Sequence, residues 1–117
     1  MIHLDHDNLE ALEYDIEQCH SLLNSASPPI LIDCREIHEH SFCRIEGSTL
    51  VPLSQFQDLI EAAFPSADTP AIIYCHHGVR SLNAVIYLRE QGFAHTYSMR
   101  GGIDQWSLHI DSKVARY

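Results

Sequence analysis

The chain has 117 residues, with 16 acidic against 7 basic side chains and a net charge of -9 when histidine is neutral. That balance excludes a nucleic-acid or anionic-membrane surface, either of which calls for a basic face. Hydrophobic content of 45% with only 5 Gly and 5 Pro excludes a disordered chain, and predicts one globular domain over residues 1–117 that buries roughly two thirds of its unfolded surface.

Met1 to Leu4 reads as a short first strand. From Asp7 the pattern turns helical, with Leu9, Leu12, Ile16, Cys19, Leu22 and Leu23 in one apolar stripe. Asp7 with Glu10 is spaced as a capping box, and Cys19 reads as core. The same N-terminal stretch lacks the basic start and apolar centre of a signal peptide, and no segment reaches the roughly 20 apolar residues of a membrane span. A cytoplasmic location is expected. Cys19, Cys34, Cys43 and Cys75 lack Cys-x-x-Cys spacing, which suits a reducing compartment.

Asn24 to Pro29 is a polar connection, after which Ile30 to Cys34 is a continuous apolar run, the mark of a strand buried on both faces of a parallel sheet. Glu36 to Cys43 predicts a short helix, and Thr49 to Val51 a short strand stopped by Pro52. Ser54 with Gln57 is spaced to cap a helix from Gln55 to Phe64. Pro70 introduces a strand from Ala71 to Cys75, and a helix follows from Ser81 to Gly92, a suitable C′ residue. Ala94 to Met99 supplies a last strand, and Gly101-Gly102 turns the chain into a short helix bearing Trp106. Alternating strands and helices predict an α/β fold with a mainly parallel sheet.

The chemistry concentrates in Tyr74 to Ser81, where Cys75 ends a buried strand, a loop with one glycine follows, and a helix begins. Loops so placed gather unpaired backbone N–H groups at the positive end of a helix dipole. With Arg80 nearby, those groups predict a depressed thiol pKa at Cys75 and a reactive, exposed thiolate. Gly78 permits the tight loop, and Ser81 is placed to cap the helix. The plainer alternative is a free cysteine filling a strand end.

The segment Cys75-His76-His77-Gly78-Val79-Arg80-Ser81 resembles the active-site loop of single-domain rhodanese-like sulfurtransferases. Leu31-Ile32-Asp33-Cys34-Arg35-Glu36, Ile45-Glu46-Gly47-Ser48 and Met99-Arg100-Gly101-Gly102-Ile103-Asp104-Gln105-Trp106 are similar to further family segments, in the same order. The resemblance spans about Ile30 to Ser107. It implies a rhodanese-like three-layer sandwich, its mainly parallel central sheet flanked by helices, with Cys75 as the catalytic residue. It also implies a substrate and persulfide loop from His76 to Ser81, and Asp33 and Arg35 in support at the same sheet edge. Asp33 and Arg35 would orient the loop and add positive potential, or form an ion pair that fixes a turn. Arg44, Glu46 and Ser48 depart from the residues usual in the family's turn.

His76 and His77 are expected to face the entrance, adding charge at lower pH or simply tolerating exposure while their amides act. His38 with His40, and His3 with His6, do not repeat a zinc spacing, so neither a metal nor a cofactor is expected. Cys34 stands where the family usually has a branched apolar residue. It reads as a buried substitute, or as a partner for a Cys34–Cys75 disulfide if the two strands are neighbours.

Three functions are weighed. The first is transfer of a sulfane sulfur from a small donor anion such as thiosulfate, or from a protein persulfide donor, through a Cys75 persulfide to a thiol, cyanide or protein acceptor. The second is a persulfide relay or regulatory binding module. The third is a Cys-dependent phosphatase or arsenate reductase of the same fold, whose loop needs one residue more between Cys and Arg than His76 to Val79 supplies.

Overall fold

The computed structural model describes residues 12–117. In chain order these form β1 (Glu13–Tyr14), α1 (Ile16–Leu23), β2 (Ile30–Asp33), α2 (Ile37–Phe42), β3 (Thr49–Leu50), α3 (Phe56–Ala63), β4 (Ala71–Tyr74), α4 (Val79–Glu90), β5 (Thr96–Met99) and α5 (Gly102–His109). The expected strand at Met1 to Leu4 and the Asp7–Glu10 cap lie outside the described residues. Every pairing in the sheet is parallel, in the order β1-β5-β4-β2-β3.

The two most apolar runs become β2 and β4, adjacent strands inside the sheet with neighbours on both sides, and all four residues of β4 are buried. Alternation along the strands divides the interior into two cores. Ile32, Cys34, Ile73 and Cys75 pack with Phe56 and Ile60 of α3 and with Ala84, Val85 and Leu88 of α4. Leu31, Ile72, Tyr74 and Met99 pack on the other face with Cys19 of α1 and Ile103 and Trp106 of α5. Helices therefore cover both faces, giving the expected three layers.

The single helix expected from Asp7 to Leu23 is interrupted. Glu13 and Tyr14 pair with Ser98 and Met99 of β5, and Tyr14 stacks on Tyr97 with ring centroids 4.0 Å apart. Helix α1 starts afresh beyond the strand, capped by Asp15, whose side chain takes the Gln18 N–H at 2.8 Å while the Gln18 side chain returns to the Asp15 N–H. Leu12 and Cys19, apparent members of one stripe, consequently lie in opposite cores.

Ser54 does not cap α3 either. A short 3-10 turn over Leu53–Gln55 precedes that helix, and the Ser54 hydroxyl donates instead to Glu36 at 2.5 Å. At the far end of α4 the anticipated glycine stop is present. Gly92 has φ +96°, its N–H reaches the Arg89 carbonyl at 3.2 Å, and the Phe93 N–H reaches Leu88 at 2.9 Å, a Schellman termination.

Candidate active site

Cys75 directly follows β4, and α4 begins four residues later. Gly78 makes the intervening turn at φ +99°, where a Cβ would stand 3.1 Å from the Gly101 nitrogen. The opposite wall is the start of α5. The Ile103 N–H donates to the Cys75 carbonyl at 2.9 Å and the Asp104 N–H donates to that of His76 at 3.2 Å. Gly102, at φ +63°, permits this approach, since a Cβ there would meet the His76 oxygen at 2.4 Å.

With those carbonyls directed at α5, loop amides are free to converge on the sulfur. The Gly78 N–H lies 3.1 Å and the Ser81 N–H 3.3 Å from Cys75 Sγ. Ser81 Oγ lies 3.4 Å from the same atom and 2.8 Å from Ser98 Oγ. Ser81 is thus not the cap of α4 but its third residue, its hydroxyl turned inward to the sulfur. Ser98, on the facing strand β5, had no distinguishing signal in the sequence.

The Cys75 thiol is pushed down to about 5, first by a hydrogen bond from the Cys34 thiol, against the opposing effect of burial, and then by the Ser81 hydroxyl and the Ser81 and Gly78 N–H groups. The Cys34 thiol is raised in turn, chiefly by its interaction with Cys75 and by burial.

Two expectations for the loop are corrected. Cys75 is only 1% exposed rather than open at the loop mouth. Its sulfur is turned under the loop toward the amides, and the loop is roofed by rings: His76 stacks on His77 at 3.9 Å and on Tyr117 at 3.8 Å. His76 is therefore packed rather than free at the entrance, and burial, followed by the neighbouring His77, lowers its pKa. His77 and Val79 do project outward, at 62% and 70% exposure.

Arg80 is the second correction, since its guanidinium is not directed at the sulfur. It forms a bidentate pair with Glu39 of α2 at 2.7 and 2.8 Å. The pair holds the Glu39 carboxyl below its usual range and raises the guanidinium. Glu39 also accepts the Tyr117 hydroxyl at 2.6 Å, which ties α2, the loop and the roof together.

Asp33 and Arg35 lie at the same sheet edge, both fully buried. Arg35 Nε and Nη2 grip the two Asp33 oxygens at 2.9 and 2.7 Å, and Nη2 also donates to the Cys43 carbonyl. Asp33 further receives the Tyr74 hydroxyl at 3.2 Å and faces His40 Nδ1 at 2.8 Å. Of the two roles weighed for this pair, the geometry matches the ion pair that fixes a turn. Its one link to the loop roof is Arg35 Nη1, which donates to the Tyr117 hydroxyl at 2.9 Å. Among the described residues no group of three or more His, Cys, Asp or Glu side chains is placed to hold a metal ion.

The sequence profile of the Rhodanese-like domain matches residues 15–109. The thiosulfate sulfurtransferase GlpE of Stutzerimonas stutzeri is 36% identical over 98 residues, 84% of this chain and 86% of that protein. Among solved structures, a rhodanese-like domain protein from Staphylococcus aureus superposes with a TM-score of 0.77 at 23% identity, over 91% of this chain and 98% of that one. The human single-domain sulfurtransferase TSTD1 superposes with a TM-score of 0.73 at 24% identity, over 83% of this chain and 96% of that one. These two structural likenesses speak for the fold. With the profile spanning most of the chain and the cysteine loop at the sheet's carboxyl edge, the chain belongs to the rhodanese-like domain family.

Proposed function

We propose that this rhodanese-like transferase moves a sulfane sulfur from a small anionic donor of the thiosulfate type to a thiol-class acceptor, through a persulfide on Cys75. The observation that carries the reading is the convergence of the Gly78 and Ser81 N–H groups on Sγ at 3.1 and 3.3 Å. Backbone donors at a helix start stabilise negative charge on sulfur without proton exchange, and act equally on a thiolate and on a persulfide anion.

In the first step the Cys75 thiolate attacks the outer sulfur of thiosulfate. The new S–S bond forms as the old one breaks, and sulfite departs with the electron pair. In the second, an acceptor thiolate or cyanide attacks the outer persulfide sulfur and Cys75 leaves as the thiolate, its negative charge received by the same amides. The pKa of about 5 keeps Cys75 ionised at neutral pH, suited to both attack and departure. Because the residue is 1% exposed, the donor must be drawn in beneath the loop to reach its sulfur.

A second reading, a persulfide relay that receives sulfur from a protein, is favoured by exposed apolar side chains at the loop, where Val79 is 70% exposed and Phe42, 61% exposed, packs on the Tyr117 ring that stacks on His76. Phosphate-ester chemistry fits less well, because Arg80 is held by Glu39 rather than aimed into the loop.

Intact-mass analysis after incubation with thiosulfate tests the proposal. The expected result is one added sulfur atom on the wild type and none on Cys75→Ser. Addition of sulfur to Cys75→Ser, or none to any Cys75-containing form, would overturn it. Uptake from a protein persulfide but not from thiosulfate would select the relay.

A further inference from the structure

Cys34 makes and breaks no bond in the transfer just described, yet it packs in the same core as the reacting sulfur. Strands β2 and β4 are adjacent and parallel, and their ladder ends with Asp33 opposite Tyr74. Cys34 and Cys75 are the next pair, with the Cys34 N–H on the Tyr74 carbonyl at 3.0 Å. Both side chains turn to the face covered by α3 and α4. Neighbouring strands stand about 4.8 Å apart, inside the roughly 4.4–6.8 Å that a disulfide requires between Cα atoms. The titrations of the two thiols are linked, Cys75 being lowered and Cys34 raised by the other. Cys19 and Cys43 lie in the opposite core, across the sheet, so the pairing is selective.

We propose that Cys34 is a resolving thiol, which attacks the proximal sulfur of the Cys75 persulfide and closes a Cys34–Cys75 disulfide. The inference rests on the sulfane-transfer reading. A Cys34–Cys75 bond forms, the bond from Cys75 to the outer sulfur breaks, and that sulfur leaves as hydrosulfide with the proton Cys34 gives up. The sulfane sulfur is reduced to sulfide while the two cysteine sulfurs are oxidised to the disulfide. An external dithiol, itself oxidised, then returns both to thiols. With both residues at 1% exposure or less, a bulky acceptor competes poorly for the loaded sulfur. Cys34 thereby discharges a site that finds no acceptor, and closes it.

Wild type, Cys34→Ser (which keeps a hydrogen-bond donor) and Cys34→Val (which fits the buried position) are loaded with thiosulfate, freed of donor and followed by intact mass and sulfide release. The wild type should release sulfide and become two hydrogens lighter than the reduced protein, with Cys34 and Cys75 linked in the peptide map. Both variants should hold the added sulfur and release none. A wild type that holds its sulfur as long as the variants overturns the inference while leaving sulfur transfer intact. Should no form take up sulfur, the transfer reading fails and a parallel arm with hydrogen peroxide decides. There Cys75 becomes a sulfenic acid, attack by Cys34 releases water, and a Cys34–Cys75 link supports the resolving role. Its absence at all peroxide concentrations overturns it.

Discussion

Replacing Cys34 with valine removes the donor that does most to hold the Cys75 thiolate, at little cost in volume. A hydrogen bond to a charged group is worth about 1.5–3 kcal/mol, and one pH unit corresponds to about 1.4 kcal/mol, so the thiolate midpoint should rise by about one to two pH units. From its starting value of about 5 it would reach about 6–7, with the Ser81 and Gly78 donors left in place. Thiolate ultraviolet absorbance, titrated against a Cys75→Ser blank, measures this directly. Cys34→Ser, retaining a hydroxyl donor, should fall between the two. Because the folded value lies below the ordinary thiol value of 9.0, the thiolate contributes stability that is complete above that value and lost as pH falls through about 5. The valine variant should show a smaller contribution whose loss is complete at higher pH. A midpoint unmoved by valine would refute the claim that Cys34 donates to Cys75, and would weaken the resolving role with it.

Gly102→Ala should be severe, because its Cβ would meet the Cys75 and His76 carbonyl oxygens at 2.5 and 2.4 Å from a backbone at φ +63°. We expect a loss of about 2 kcal/mol or more in urea unfolding together with a raised Cys75 midpoint; wild-type values would contradict the packing described. Asp33→Asn leaves Arg35 buried without its bidentate partner and should cost about 3–5 kcal/mol by the same assay. Glu39, held below its ordinary range first by its hydrogen bond with Arg80, contributes stability present above that range and lost as pH falls below it. Glu39→Gln should therefore flatten the acid side of the stability profile; an unchanged slope would count against the pair. Wild-type thiosulfate turnover should rise with ionic strength, since the net charge of -9 repels a dianion and Arg80 is engaged by Glu39; a steep fall with salt would contradict this.

Periodicity and turn chemistry, which depend on near neighbours in the chain, were enough to read β2, β4, α2 and the Gly92 stop from the residues themselves. The cysteine loop was legible for the same reason, as a buried strand, one glycine and a helix start stand consecutively. The apolar stripe from Leu9 to Leu23 misled because β1 exists only through its pairing with β5, which local pattern cannot register. Asp15 and Gln18, three residues apart like Asp7 and Glu10, were the usable sign of where α1 begins.

The alternating order of elements, the cysteine loop and the helix after it follow from local chemistry in the sequence alone. Tertiary structure alone decided that Glu39 takes Arg80 from across 41 positions, that Tyr117 roofs His76, and that Cys34 lies against Cys75. Each of these depends on which strands and helices become neighbours, and that is settled by burial of the two cores rather than by the residues adjacent in sequence.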